Sequence, residues 1–289
     1  MIWLIGNRGM LGSEIAGVFE KNGIPFIGTD REIDITDLNA LESFAQTQKE
    51  IQPISWIINC AAYTAVDMAE DDAVLCRKLN DEGPSNIAYL ADKTGARLIH
   101  FSTDYVFNGK NDHPYKEDDP TDPIGVYGLT KRDGEINILK NNNASYIIRT
   151  AWLYGVHGNN FVYTMLKLMR TKNSISVVND QIGTPTWAHD LAEIVFMLIK
   201  RTDETDPVPY GIYHFTNDGI ISWYDFALEI YRQGRTTGLL TDDCIINPCS
   251  SEAFPSKVRR PAYSVLDKEK IKKHWALILR HGIPASESF

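Results

Sequence analysis

The sequence has few cysteines, no excess of basic residues and no long apolar run. Only four of the 289 residues are cysteines, and none forms a Cys-x-x-Cys pair or stands at zinc-ligand spacing with histidines. Lysine and arginine number 29 against 38 acidic residues, a formal net charge of -9. These shortages exclude a disulfide-rich secreted domain, a zinc domain and a strongly basic nucleic-acid surface.

Membrane and targeting signals are also missing. The most apolar helical stretch, residues 191–200, is too short to cross a bilayer and contains Glu193. The opening MIWLIG lacks the basic region, apolar run and small-residue cleavage site of a signal peptide. We therefore predict a cytoplasmic protein that engages neither membrane nor nucleic acid.

The first half of the chain alternates short β-branched runs with helical patterns. Runs such as WIIN and YIIR are apolar throughout, which is typical of parallel strands covered on both faces. We predict an α/β fold, with a doubly wound Rossmann domain over residues 1–155. Residues 156–289 are predicted to form mainly a smaller α/β substrate-binding lobe, with some later helices and strands returning to the first domain.

A glycine-rich loop follows the first predicted strand. In GNRGMLG the glycines recur every three residues, between a strand and a helix, as in a dinucleotide-binding loop. Glycines allow a tight turn and close backbone approach, and the following helix N-terminus attracts the pyrophosphate. The predicted cofactor-binding residues here are Gly6, Asn7, Arg8, Gly9, Met10, Leu11 and Gly12.

The end of the second predicted strand bears on the choice of cofactor. Asp30 there can hold the ribose hydroxyls of NADH, whereas Arg31, together with Arg8, can bind the 2′-phosphate of NADPH. The two signals oppose each other, so NADPH and NADH both stay open, with a lean to NADPH. Further predicted contacts with the cofactor come from Asp34, Ile35, Ala61, Ala62 and Tyr63.

Three residues predict redox chemistry beside this cofactor. Thr103 ends the fourth predicted strand, where ligands of such sheets bind, and VYGLTK sets Tyr127 one helical turn before Lys131. A Tyr/Lys pair alone is more often a solvated helix pair. With the glycine loop and Thr103 in the expected order, we predict that Thr103, Tyr127 and Lys131 are catalytic and that the last two also contact the cofactor.

This combination resembles the extended short-chain dehydrogenase/reductase family. Within it, INCAAYTAVDMAE, STDYVF, VYGLTK, RTAWLYG, GNNFV, VVNDQIGTPT and VRRP resemble the dTDP-4-dehydrorhamnose reductase branch, in order along nearly the whole chain. The resemblance implies NAD(P)H-dependent reduction of the C4 keto group of dTDP-4-dehydro-L-rhamnose to dTDP-L-rhamnose, for cell-surface polysaccharide. It implies that Tyr127 protonates the C4 oxygen, that Thr103 holds it, and that Lys131 binds the ribose and lowers the pKa of the phenol.

The resemblance also implies residues that contact the sugar nucleotide. Tryptophan after a strand is alternatively plain core, and the two arginines are alternatively surface charges. The predicted substrate-binding residues are Thr64, Val66, Thr103, Asp104, Val106, Trp152, Asn160, Gln181, Arg259 and Arg260.

Two departures from the branch concern metal and assembly. Some members form magnesium-bridged dimers through glutamates, and Glu14 occupies one such position as a weak candidate. His189, followed by Asp190, stands where the second glutamate is expected. The chain ends in ILRHGIPASESF, where relatives continue into a final helix. We therefore predict no metal site, doubtful magnesium dependence, and a monomer or weak homodimer.

Two rival functions stay open. One is another sugar-nucleotide reductase, an epimerase or a dehydratase of the same family, but dehydratases carry Asp-Glu after the threonine and this chain has Asp104-Tyr105. The other is a non-catalytic NADP-binding regulatory subunit of methionine adenosyltransferase, which has a similar fold. The retained Thr103, Tyr127 and Lys131 favour an enzyme.

Overall fold

The computed structural model describes residues 1–204, 208–254 and 256–275. Its strands are β1 (Ile2–Ile5), β2 (Phe26–Thr29), β3 (Trp56–Asn59), β4 (Arg97–Thr103), β5 (Ser145–Thr150), β6 (Leu153–Tyr154), β7 (Ser174–Val178), β8 (Ile182–Gly183), β9 (Thr186–Trp187), β10 (Gly211–His214), β11 (Ile221–Ser222) and β12 (Ile245–Cys249). Its α-helices are α1 (Met10–Lys21), α2 (Leu38–Ile51), α3 (Ala73–Arg77), α4 (Gly83–Thr94), α5 (Val126–Asn141), α6 (Phe161–Thr171), α7 (Ala188–Glu204), α8 (Trp223–Thr236) and α9 (Glu269–Trp275).

A six-stranded parallel sheet forms the centre of the molecule, in the order β10-β5-β4-β3-β1-β2. The side chains of β1 and β3 are buried throughout, as their unbroken apolar sequences predict. The chain moves outward from β1 to β2 and then to β3 on the other side of β1. The carboxyl ends of β1 and β3 therefore flank a topological switch point, where such folds bind ligands. The predicted doubly wound α/β fold is confirmed.

Helices cover both faces of this sheet. One apolar core lies between the sheet and α1, α7 and α9, and includes Ile15, Val195 and Ile271. The opposite core lies under α2, α4 and α5, and includes Leu41 and Ile87. Because α7, β10 and α9 come from the second half of the chain, that half contributes to the central layers. The division at residue 155 stays a prediction.

The smaller lobe has its own core between α6, α8 and the parallel pair of β7 and β12. Val162, Ile175 and Phe226 are among its buried residues. The lobe is continuous with the sheet because β6, which follows β5 after two residues, pairs with β9 at the start of α7. This connection places Trp152 and the loop after β6 beside the carboxyl edge of the sheet.

The segment before α4 differs from its sequence interpretation. Gly83-Pro84 predicts a turn, but the chain stays helical from Ala73 to Thr94 through a π-helical stretch at Lys78–Glu82. The Gly83 amide bonds to the Lys78 carbonyl, a spacing that accommodates a proline lacking an N–H near the start of α4. The wider turn also sets Asn80 against α5, where a side chain on Gly134 would lie 2.1 Å from the Asn80 oxygen.

Two sequence predictions concern the rest of the chain. Within the described ranges, no helix combines the length and apolar character that crossing a bilayer requires. The terminal ILRHGIPASESF, residues 278–289, on which the comparison with a final helix rests, lies outside the described residues.

Candidate active site

The glycine-rich loop lies at the switch point of the sheet. Gly6 has a φ of 75° and lies so close to the loop after β3 that an added Cβ would be 2.8 Å from the Ala61 nitrogen. A Cβ on Gly12 would be 2.1 Å from the Gly6 oxygen. Gly9 is the N-cap of α1 and provides no side-chain cap, so the first N–H groups of this 12-residue helix stay open to an anion.

The other members of the loop have distinct surroundings. Leu11 is buried in the core under α1, and Met10 packs against the same core. Asn7 has a buried side-chain oxygen without a hydrogen-bond partner, and its amide fills the space beside Gly28. The loop thus combines an anchored backbone with a buried, unpaired acceptor.

The residues that bear on the cofactor's 2′-position lie in the glycine-rich loop and just beyond β2. Arg8 is 70% exposed and lies 3.6 Å from Glu32, which shares this surface. Backbone N–H groups of Glu32 and Asp30 lower the pKa of the Glu32 carboxyl, with Arg8 adding a smaller effect. Arg31 is exposed beside them. Both side chains are exposed to a phosphate, although Arg8 is paired with Glu32.

We expect that replacing Arg8 and Arg31 together by alanine raises the Michaelis constant for NADPH and leaves that for NADH nearly unchanged. A 2′-phosphate loses two exposed cationic partners, whereas the ribose hydroxyls of NADH do not need them. Steady-state kinetics with each cofactor measures the two constants, with Lys21→Ala on α1 as a surface-charge control. Equal losses with both cofactors would contradict a 2′-phosphate role.

Further along the presumed cofactor path, the predicted contacts divide into two groups. Ile35 is buried and supports Gly83, whereas Asp34 is exposed and accepts hydrogen bonds from the Thr36 amide and hydroxyl. Ala61, Ala62 and Tyr63 are partly buried in the loop after β3. Asn80 holds the Tyr63 backbone at both its N–H and its carbonyl, at 2.8 and 3.0 Å.

Thr103 and Tyr127 meet at the carboxyl end of β4. Thr103 is buried, donates to Asp104 Oδ1 at 2.9 Å and accepts from the Tyr105 amide at 3.2 Å. Tyr127, in the first turn of α5, lies near enough for the Thr103 hydroxyl to act on its phenol and lower the pKa. Two of the three predicted catalytic side chains therefore lie together at this edge of the sheet.

The acid–base state of these groups suits proton donation. Burial, and secondarily the charge of Asp104, raise the pKa of the Tyr127 phenol well above its ordinary value, although the nearby Thr103 hydroxyl opposes them. The phenol therefore holds its proton at neutral pH. Burial also raises the pKa of Asp104 to about 7, and its Oδ2 has no hydrogen-bond partner.

Lys131 lies one turn after Tyr127 and is 2% exposed. Its Nζ donates to the Phe101 carbonyl oxygen at 2.6 Å and lies 3.1 Å from His100 Nε2. Burial lowers the pKa of Lys131 to about 8. The sequence predicts that this lysine lowers the pKa of Tyr127. In the structure, burial has the largest effect on the pKa of the phenol, and the amine contacts His100 and Phe101 of β4.

The predicted substrate residues of the second lobe have strong structural contacts. Trp152 has a φ of 49°, in the left-handed region, and stacks on Trp223 with ring centroids 3.6 Å apart. Asn160 caps α6 by accepting from the Tyr163 amide, and donates to the Gly155 oxygen. Gln181 is 9% exposed and donates to Ser251 Oγ at 2.9 Å. Asn160 and Gln181 thus serve the local fold.

The two predicted phosphate-binding arginines differ. Arg260 bonds to Asp67 at 2.6 Å and to the Tyr105 hydroxyl at 3.1 Å, and lies over the Tyr105 ring. Tyr105 in turn packs edge-on against Tyr127, with centroids 5.4 Å apart. Arg259 is exposed. Arg260 therefore joins the last described segment of the chain to the Tyr127 site.

The remaining predicted substrate residues lie in two environments. Thr64 is exposed and Val66 partly buried, in the loop that leads to Asp67. Val106 is fully buried and packs in a small cluster with Phe107 and Leu266. Thr64 and Val66 thus lie in the loop that leads to Asp67, the partner of Arg260, whereas Val106 is a core residue.

The weak metal candidate has a protein partner. Glu14 is 7% exposed, and its Oε2 lies 3.3 Å from His189 Nδ1, while its Oε1 has no partner. His189 Nε2 faces Glu193 at 3.7 Å. Among residues 1–204, 208–254 and 256–275, no group of three or more His, Cys, Asp or Glu side chains is arranged to hold a metal.

We expect activity to survive exhaustive chelation with EDTA, because His189 meets the Glu14 carboxylate where a second carboxylate would be needed for magnesium. The measurement is turnover and sedimentation velocity before and after chelation. Calcium-saturated EDTA is the control. A large loss of activity or assembly that magnesium restores would contradict this expectation.

Sequence reasoning missed four residues that support the site. His100 on β4 contacts Lys131, Asn59 on β3 holds His100, and Asp67 and Tyr105 hold Arg260. His100 stands three residues before Thr103 in HFSTDYVFNG, so its position on a strand facing α5 was a usable signal. The Asp67 contact spans 193 positions and has no local signal.

Comparisons with known proteins agree with this geometry. The family model described as RmlD substrate binding domain matches residues 1–285. The spore coat polysaccharide biosynthesis protein SpsK of Bacillus subtilis is 40% identical over 99% of this chain and 98% of its own length. A dTDP-4-dehydrorhamnose reductase of Streptomyces griseus is 39% identical over 98% of this chain and 93% of its own.

A solved structure is also similar. The dTDP-4-dehydrorhamnose reductase of Bacillus anthracis, crystallised in complex with NADP, superposes with a TM-score of 0.88 at 34% identity, covering 97% of this chain and 95% of that one. The predicted resemblance to this reductase branch is confirmed. The chain belongs to the RmlD substrate binding domain family.

Proposed function

We propose that the protein reduces the C4 keto group of dTDP-4-dehydro-L-rhamnose with NADPH, or less efficiently NADH, to give dTDP-L-rhamnose. The observation that carries this proposal is the placing of Thr103 and Tyr127 together at the carboxyl edge of a sheet whose switch point has an uncapped, glycine-lined helix start. Family membership and the NADP complex of the Bacillus anthracis relative support the same reaction.

The residues present fit a dinucleotide. Side chains at Gly6 or Gly12 would collide with neighbouring backbone. The two glycines therefore allow the tight backbone turn that leads into the start of α1. The unpaired oxygen of Asn7, the exposed Arg8 of the same loop and the exposed Arg31 after β2 complete the surroundings. These residues would hold the pyrophosphate and adenosine ends, and Tyr127 and Lys131 the nicotinamide ribose. When bound, the reduced nicotinamide supplies the hydride.

The side chains supply the matching proton. Thr103 holds the keto oxygen against Tyr127, and Tyr127 gives its proton to that oxygen as negative charge develops there. Because burial keeps the phenol protonated at neutral pH, the acid is available before each turnover. Hydride at C4 and proton at the oxygen together convert the ketone to an alcohol. In the free protein the Thr103 hydroxyl donates to Asp104, and on substrate binding it would turn this proton to the keto oxygen.

On the substrate side, we propose that Arg260 leaves Asp67 to bind the diphosphate, since a bidentate cation suits it. Trp152 and the exposed Thr64 would contact the sugar. The proposed partner is a small-molecule sugar nucleotide. We propose that the protein is cytoplasmic and is a monomer or a weak homodimer.

The decisive experiment offers dTDP-4-dehydro-L-rhamnose and NADPH to the purified protein and follows the absorbance of the reduced cofactor. Stoichiometric oxidation with formation of dTDP-L-rhamnose is expected. Turnover only with another 4-keto sugar nucleotide would favour a sister reductase. Cofactor binding without turnover on any such substrate would favour the regulatory alternative.

A further inference from the structure

A chain of hydrogen bonds crosses the sheet beneath the catalytic pair. It begins at the loop after β3 and runs through Asn59 on β3 and His100 on β4 to Lys131 on α5. His100 is 0% exposed, and its two ring nitrogens each lie 3.1 Å from the next group. Neither ring nitrogen is therefore open to bulk solvent.

The direction of this chain is fixed at its backbone end. The Ala61 N–H donates to Asn59 Oδ1 at 3.0 Å, so the Asn59 amide nitrogen faces His100. An amide nitrogen only donates, and His100 Nδ1 must accept. Burial and the neighbouring lysine hold the pKa of His100 well below its ordinary range, so the ring is neutral. Its single proton is therefore on Nε2.

That proton points at Lys131. A charged lysine carries donors only, and would bring two donors together across the 3.1 Å separation from Nε2. An uncharged amine instead accepts from His100 Nε2 and donates to the Phe101 carbonyl oxygen. We propose that His100 is a positioning residue for the proposed reduction: it holds Lys131 at β4 and favours release of the lysine proton.

Other groups around the Lys131 amine also affect the equilibrium between its charged and uncharged forms. Glu135, one turn further along α5, favours the charged lysine, but it is itself paired with Arg149 of β5. The Cys76 thiol of α3 acts weakly in the same direction as Glu135. Desolvation and the His100 proton act against the charge. With a pKa of about 8, the amine therefore titrates just above neutral pH.

Two substitutions test the assignment from opposite ends of the ring. His100→Gln places an amide oxygen within reach of the lysine, which then keeps its proton. Asn59→Asp presents a carboxylate to Nδ1, which draws the ring proton there and leaves Nε2 as an acceptor. Both should move the alkaline limit of turnover upward by about one pH unit, and loosen the lysine enough to raise the cofactor dissociation constant.

The control is His214→Gln. His214 on β10 is also buried with a pKa held well below its ordinary range, but it faces Arg149 and the Tyr115 carbonyl. Its replacement should leave the alkaline limit unchanged. A merely structural role for His100 would lower activity at every pH without moving that limit.

Nuclear magnetic resonance gives a readout that does not need turnover. In the wild-type protein, ¹⁵N shifts of His100 should show the proton on Nε2, and Asn59→Asp should move it to Nδ1. The titration of ¹³C-labelled Lys131, assigned with Lys131→Met, should shift upward in His100→Gln. A proton on Nδ1 in the wild type overturns the proposal, even if no variant folds. An unmoved lysine titration in both variants also overturns it. Absence of turnover on the 4-keto sugar nucleotide would refute the proposed function alone.

Discussion

Removing only the hydroxyl of Tyr127 should reduce the single-turnover rate by roughly 10²–10⁴-fold, because general acid catalysis contributes that much. This corresponds to about 3–5 kcal/mol of barrier at ~1.4 kcal/mol per tenfold change. Tyr127→Phe keeps the ring, including its edge-on contact with Tyr105, so the fold and cofactor affinity should persist. The measurement is single-turnover kinetics with cofactor affinity determined separately.

A neighbouring tyrosine provides the matched control. Tyr105→Phe also removes one phenol hydroxyl, but that hydroxyl accepts from Arg260. Its chemical step should slow far less, with the main effect on the Michaelis constant for the substrate. Thr103→Val should lie between the two, since Thr103 orients the oxygen and keeps its proton. Retention of more than about half of the wild-type rate in Tyr127→Phe would mean that another group donates the proton.

The fold was predictable because its signals are local. An unbroken apolar run such as WIIN predicts a strand that helices cover on both faces of the sheet. A glycine-rich loop between a strand and a helix predicts a dinucleotide-binding turn. Gly6 and Gly12 are needed because the backbone itself fills the space of a Cβ. The exception is Gly83-Pro84, which predicts a turn because Pro84 lacks a backbone N–H. In the structure a π-helical stretch at Lys78–Glu82 accommodates the proline and the chain stays helical.

The candidate site was only partly predictable, because its electrostatics arise from contacts between distant strands. The spacing of Tyr127 and Lys131 places both on one side of α5, yet the amine is held by His100 and Phe101, about 30 positions away. The sequence predicts that Asn160 contacts the substrate, but in the structure its side-chain oxygen caps the N-terminus of α6 by accepting from the Tyr163 amide. The left-handed backbone of Trp152 has no sequence signature, since glycine or asparagine is the usual residue there.

The buried charges behind the site lead to a second large effect, on stability. Arg149 of β5 donates to both oxygens of Glu135 at 2.9 and 2.7 Å, and each side chain is 3% exposed. Arg149 Nη1 also lies 3.4 Å from the Glu117 oxygen and from His214 Nε2. The guanidinium is therefore the cation that compensates a carboxylate with little access to water.

Arg149→Met should lower the free energy of unfolding by about 3–5 kcal/mol, because Glu135 would be left as an uncompensated buried charge. Replacing both partners, as Arg149→Met with Glu135→Leu, should recover most of that loss, since two apolar groups need no compensation. Arg97→Met is the control, because its partner Asp203 is 47% exposed and such pairs contribute at most about 1 kcal/mol. Urea unfolding measures all three. If Arg149→Met cost no more than Arg97→Met, the buried pair would be a minor contributor to the stability of the fold.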